Sequence, residues 1–257
     1  MASPTPSPEP PGADRAIAVA EVPASRGARW LVGGFGLFRR QPMVWIGLAA
    51  GWMVITFGLI MVPLVGGVVA NFLQPVFFAS FAIAARNAEA GQAVEMGDLF
   101  AGFRANVRAL VNIGALLLVA EIAIFALMAA LGLPVEIAAP EGSEAAPSLA
   151  DYVRSLQGKE WIILVGLVLT AIVKGALWFA PPLIAFHALG AGHAIRWSVY
   201  AALSNLGAML AYGVALFVVF FAAIIPWGLG LFIAIPVMLT STWVGYREVF
   251  EPAARAP

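Results

Sequence analysis

The chain has 257 residues, 62% of them hydrophobic and 11% charged, with 14 basic side chains balancing 14 acidic ones. Soluble domains carry roughly a quarter charged residues, so a water-soluble fold of this size has too little interior to hide this much apolar surface. The neutral balance excludes a net field that would draw the chain to nucleic acid, and a sequence with two histidines (His187, His193) and no cysteine excludes disulfides, thiolate chemistry and a Cys/His metal cage of its own.

Residues 1–25 are rich in Pro, Ala and Ser and lack the basic and apolar regions of a secretory signal, so they are expected to form a disordered cytoplasmic tail. A six-helix membrane domain is expected over 26–250, with a last tail at 251–257. A bilayer core about 30 Å thick needs about 20 apolar residues per helix. Six segments qualify: Met43 to Val62, Gly66 to Ala85, Leu110 to Leu131, Trp161 to about Ala185, Gly207 to Pro226 and Leu229 to Tyr246. The fold class is therefore an all-α polytopic transmembrane bundle. Pro75, Pro181, Pro182 and Pro236 are expected to kink their helices.

Basic residues accumulate on the cytoplasmic side of a bacterial inner membrane. Arg15, Arg26, Arg29, Arg39, Arg40, Arg86, Arg104, Arg108, Arg196, Arg247 and Arg255 all fall on the side that six crossings give to both termini. Only Arg154 and Lys159 fall on the other, within an acidic loop spanning 133–160. Both ends are thus expected in the cytoplasm. Within that loop, the stretch from Ser148 to Gln157 is expected to form a short amphipathic helix.

Two stretches repeat one pattern: PVFFASFAIAAR from Pro75 and PVMLTSTWVGYR from Pro236 share proline, valine, serine and arginine at the same offsets. PPLIAFHALGAG from Pro181 is a weaker echo. A short amphipathic stretch precedes each hairpin, with apolar stripes at Leu31, Phe35 and Phe38, at Leu99, Phe103, Val107 and Leu110, and around Trp197 and Tyr200. Arg29, Arg40, Arg104, Arg108 and Arg196 accompany these stripes, as in helices lying in the headgroup layer with arginines toward anionic lipid and aromatics toward the acyl boundary. Three units are expected, each an interfacial helix followed by a transmembrane hairpin. Chance similarity between apolar, proline-bearing segments is the competing explanation.

The segments ARWLVGGFGLFRRQPMVWIGL, LFAGFR, ALWFAPPLIAFH and YREVF resemble an uncharacterised family of proteobacterial inner-membrane proteins over about Arg26 to Phe250. A more distant resemblance is to the membrane domain attached to some glycerophosphodiester phosphodiesterases. The resemblance implies fold and location and no activity.

Glu121 and Lys174 lie deep in their segments, roughly 15 Å and 20 Å from the same outer face at 1.5 Å per residue. An intramembrane charge usually pairs, so an ion pair is expected, serving either helix register or a proton or substrate relay. Asn71 and Gln74 line a polar path or bond a neighbouring helix. No Walker loop, zinc-protease helix, nucleophile elbow or magnesium-holding acidic pair occurs in the sequence. The expectation is a non-enzymatic structural or partner-binding membrane protein, with membrane lipid and a protein partner or second copy as partners and neither cofactor nor metal. A small transporter or channel is the alternative.

Overall fold

The computed structural model describes residues 17–134 and 148–251, with the side chains of Leu149 and Tyr152 left aside. Most of the expected N-terminal tail, the first half of the loop beyond 134 and the C-terminal tail after 251 lie outside the described residues. Within them the secondary structure is entirely helical: α1 Ala24–Phe38, α2 Pro42–Ile60, α3 Gly66–Glu89, a 3₁₀ stretch Met96–Arg104, α4 Val107–Ala130, α5 Leu149–Leu156, α6 Glu160–Ala176, α7 Ala180–His187, α8 Ala191–Ser204, α9 Leu206–Ile224 and α10 Leu231–Phe250.

Five helical segments are long and apolar enough to cross a membrane: Pro42–Ile60, Gly66–Glu89, Val107–Ala130, Glu160–His187 and Leu206–Ile224. Runs of this kind form helices because backbone amides in hydrocarbon must bond within their own segment. The expected sixth, α10, is not among the five. It is long enough, but Thr240, Ser241, Thr242, Arg247 and Glu248 dilute its apolar character.

Burial sorts the helices into two layers. Half of the apolar stretch of α3 is buried by protein, against 17–22% for the other four segments. α10 buries Pro236 and nearly every residue from Leu239 to Phe250, and α7 buries Ala180 to Ile184. The inner layer is therefore α3, α7 and α10, and the outer helices turn most of their surface outward. The aromatic centre joins the layers: Phe186 lies edge-on to Trp243 at 5.2 Å, and Tyr246 stacks on Phe250 at 5.1 Å.

α1, the 3₁₀ stretch and α8 gather at the end of the bundle that carries both described termini. There Ala20 donates its backbone N–H to Val249 at 2.8 Å, and the Asn205 side chain accepts from Val22 and donates to Ala20. The chain is docked from Ile17 onward, so residues 17–25 of the expected tail are packed on the bundle. Ile17, Val19 and Val22 pack on the core and offset the entropy of ordering this stretch.

The three amphipathic stretches sit at this capped end, and each expected stripe is divided between residues packed on the bundle and an exposed aromatic ring. α1 buries Leu31 and Phe38 of the expected stripe together with Gly27, Trp30, Gly34 and Leu37, while Phe35 is 47% exposed. The 3₁₀ stretch buries Leu99 and Gly102 and exposes Phe103; α8 buries Ala194, Ser198 and Ala201 and exposes Tyr200. The closest backbone approaches are made at glycines. A Cβ on Gly34 would meet Ser241 at 2.7 Å, and one on Gly102 would collide with the Val76 carbonyl. The second expected stripe is also split, since the 3₁₀ stretch ends at Arg104 and Val107 opens α4, capped by Asn106.

The prolines act differently from one another. α3 and α10 run on as single helices through Pro75 and Pro236. The fourth segment breaks before its proline pair, at 177–179, and resumes at Ala180 with Pro181 and Pro182 in the first turn of α7. The absent proline N–H groups cost nothing at that position.

Candidate functional site: a polar cleft inside the bundle

The cleft lies where α6 gives way to α7. Gln74, Pro75 and Phe78 of α3, Ile113 and Leu117 of α4, Lys174 of α6, the break residues Leu177 and Trp178, and Pro181 of α7 surround a volume of about 60 Å³. That is room for a few water molecules. The break itself is satisfied internally: the Ser198 hydroxyl donates to the Ala176 carbonyl at 2.7 Å and accepts the Phe179 N–H at 3.1 Å.

Lys174 Nζ donates to Glu121 Oε1 at 2.8 Å, with about one third of each side chain exposed. The pair lies midway along its two spans. Lys174 has no other hydrogen bond to a described residue, and the amides of Asn71 and Gln74 have none. Gly114 of α4 packs directly on the backbone of Asn71 and Phe72, where a Cβ would come within 2.6 Å. Gln74 and Lys174 therefore share one cleft, Glu121 borders it through the ion pair, and Asn71 lies one turn from Gln74 without lining it.

Of the expected lipid-facing arginines, Arg29, Arg40, Arg104, Arg108 and Arg196 are all exposed at the capped end. Arg40 also donates to the Ala88 carbonyl at 3.0 Å, which closes the corner between α1 and α3.

The most extensive polar network was not legible in the sequence. Glu248 is buried in α10 and receives the Trp30 indole N–H at 3.1 Å, Arg26 Nε at 3.2 Å and an ion pair from the Arg26 terminal nitrogen. This hydrogen bonding, and then the carboxylate charge, raises the Arg26 pKa above its ordinary value. Glu89 accepts the Trp243 indole N–H at 2.9 Å and pairs with Arg247. His187 Nε2 lies 2.9 Å from the Tyr246 hydroxyl, and the Arg86 guanidinium sits 4.4 Å above the Phe186 ring. Spacings of 218 and 154 positions leave no trace in local periodicity; the only signal was a carboxylate within an apolar closing helix.

Among the described residues no group of three or more His, Cys, Asp or Glu side chains is placed to hold a metal ion. The cleft combines an internally neutral ion pair, the Gln74 amide and apolar walls.

No family profile matches the chain, and no solved structure matches it. A probable inner membrane protein of Burkholderia thailandensis is 30% identical over 201 residues, covering 77% of this chain and 74% of the relative. This match and the apolar helices make the chain a membrane protein belonging to the same family as that Burkholderia inner membrane protein.

Proposed function

We propose that the protein is a non-enzymatic component of the bacterial inner membrane, crossing it six times with both termini in the cytoplasm, and that its capped end is a rigid platform for anionic lipid and for a protein partner. One observation carries this reading. Each cap element packs one face against the bundle and leaves an aromatic ring near an arginine outside: Phe35 near Arg39, Phe103 beside Arg104, and Tyr200 one turn from Arg196. Aromatic rings at the acyl boundary with arginines at the phosphates are the side-chain pairing of a membrane interface.

The pairing of cap and core supports a three-unit architecture. The 3₁₀ stretch rests on α3, α8 on α7 and α1 on α10, so each cap element sits on the inner helix of the preceding unit and the first closes the ring on the last. Ser80 and Ser241 hold the same place in the two repeats, and each receives the close approach of a glycine, Gly102 or Gly34. A small transporter or channel is less supported, since the cleft near Glu121 and Lys174 is small and ringed by packed Phe78, Leu117 and Trp178.

Native mass spectrometry of the protein extracted in mild detergent tests the platform. Wild type is expected to retain phosphatidylglycerol and cardiolipin over phosphatidylethanolamine. The variant Arg29→Gln, Arg104→Gln, Arg108→Gln and Arg196→Gln is expected to lose that preference, and an unchanged preference contradicts the reading.

A further inference from the structure

We propose that the cleft between α3, α4, α6 and α7 binds an uncharged, lipid-soluble molecule through a carbonyl or hydroxyl oxygen. This goes beyond the platform reading and does not rest on it.

Three features select that chemistry. Gln74 and Lys174 both line the cleft; the Gln74 amide has no partner among the described residues, and the Lys174 ammonium spends one N–H on Glu121. The site therefore holds spare N–H donors on Lys174 and Gln74 in a region where unbonded polar groups are costly; a carbonyl or hydroxyl oxygen satisfies them, and a hydroxyl can also donate to the Gln74 carbonyl. Glu121 already cancels the charge of Lys174, so an anionic ligand would sit in hydrocarbon without a counter-ion of its own, and the favoured ligand is neutral. The remaining walls are apolar, with the Phe78 and Trp178 rings 6.1 Å apart edge to face, and suit hydrocarbon next to the polar atom.

Position and size narrow it further. Lys174 stands midway along Glu160–His187, so a ligand reaches it through the bilayer rather than from water. A volume of about 60 Å³ admits a carbonyl or hydroxyl with its first carbons.

The test uses the full chain purified in detergent, with a decyl-substituted benzoquinone as the carbonyl probe and farnesol as the hydroxyl probe. Quinone binding is read from tryptophan quenching, since Trp178 lines the site, and farnesol binding from the shift in thermal unfolding against decane as control. Saturable binding of either probe that weakens about tenfold in Gln74→Leu, the loss of one hydrogen bond to a buried donor, supports the proposal. If Gln74→Leu does not fold, the charge-neutral double variant Glu121→Gln and Lys174→Met carries the same comparison. Non-saturable partitioning of both probes, or saturable binding indifferent to these substitutions, overturns it and leaves a cleft occupied by water alone.

Discussion

Trp30 donates its indole N–H to Glu248 at 3.1 Å, across 218 positions of sequence. With the Arg26 ion pair, this bond fastens the first helix to the last and closes the cap. Glu248→Ala would leave a buried indole N–H and a half-buried guanidinium without their acceptor. A loss of about 2–4 kcal/mol is expected, less than for a fully buried pair because Arg26 is partly exposed. Thermal unfolding in detergent measures it, and Glu248→Gln should recover part of the loss by retaining one acceptor.

Close approach by glycine separates two positions on the same helix. Gly34→Ala drives a methyl into the Ser241 backbone and should cost about 1–3 kcal/mol through strain or displacement of α1. At Gly36 an added Cβ meets nothing within 4 Å, so Gly36→Ala should stabilise α1 by up to about 1 kcal/mol through helix propensity. Unfolding midpoints of the two variants, moving in opposite directions, check the packing.

These glycines also show what the sequence concealed. Length and hydropathy located the spanning segments to within a few residues, because the bilayer imposes one physical requirement on every such run. The cap anchors were only partly legible: hydropathy picks out Leu31, Phe38 and Leu99, which are buried, but gives Gly27, Gly34 and Gly102 almost nothing, although these glycines make the closest backbone approaches. Docking of 17–23 was hidden for a similar reason: its composition reads as a linker, and its anchors, Asn205 and the Val249 carbonyl, stand at the other end of the chain. Glu121 and Lys174 were conspicuous because charges are rare in apolar runs. Glu248 was not, since it follows an arginine near a helix end and reads as a solvated pair.

The Glu121–Lys174 contact predicts a coupling that single substitutions cannot reveal. Glu121→Gln and Lys174→Met should each destabilise the bundle, and the double variant should be more stable than the sum of the singles by about 1 kcal/mol. A double-mutant cycle of unfolding in detergent micelles measures the term, and additive effects would mean the pair contributes nothing to stability.

A pH dependence is expected at α5. Asp151 accepts from the Ser148 hydroxyl at 2.7 Å and its backbone N–H at 3.0 Å, and these bonds, with Arg154 adding a smaller effect, lower its pKa. A depressed carboxylate pKa contributes stability in full above the unfolded value near 3.9, and that contribution is lost as pH falls through the lower folded value. Helical chemical shifts over Leu149–Leu156 in labelled protein should hold at pH 5 and fade only well below pH 4. Asp151→Asn should remove this transition.

The most direct test of the six-span account uses the absence of natural cysteine. Leu64 and Trp227, each 99% exposed, mark hairpin tips at one end of the bundle, while Gln92 and His193 are exposed at the capped end. Single cysteines at the four positions, probed with a membrane-impermeant maleimide in spheroplasts, should label at 64 and 227 in intact cells and at 92 and 193 only after permeabilisation. Labelling of 92 or 193 in intact cells, or protection of 227, would contradict six crossings with the cap inside.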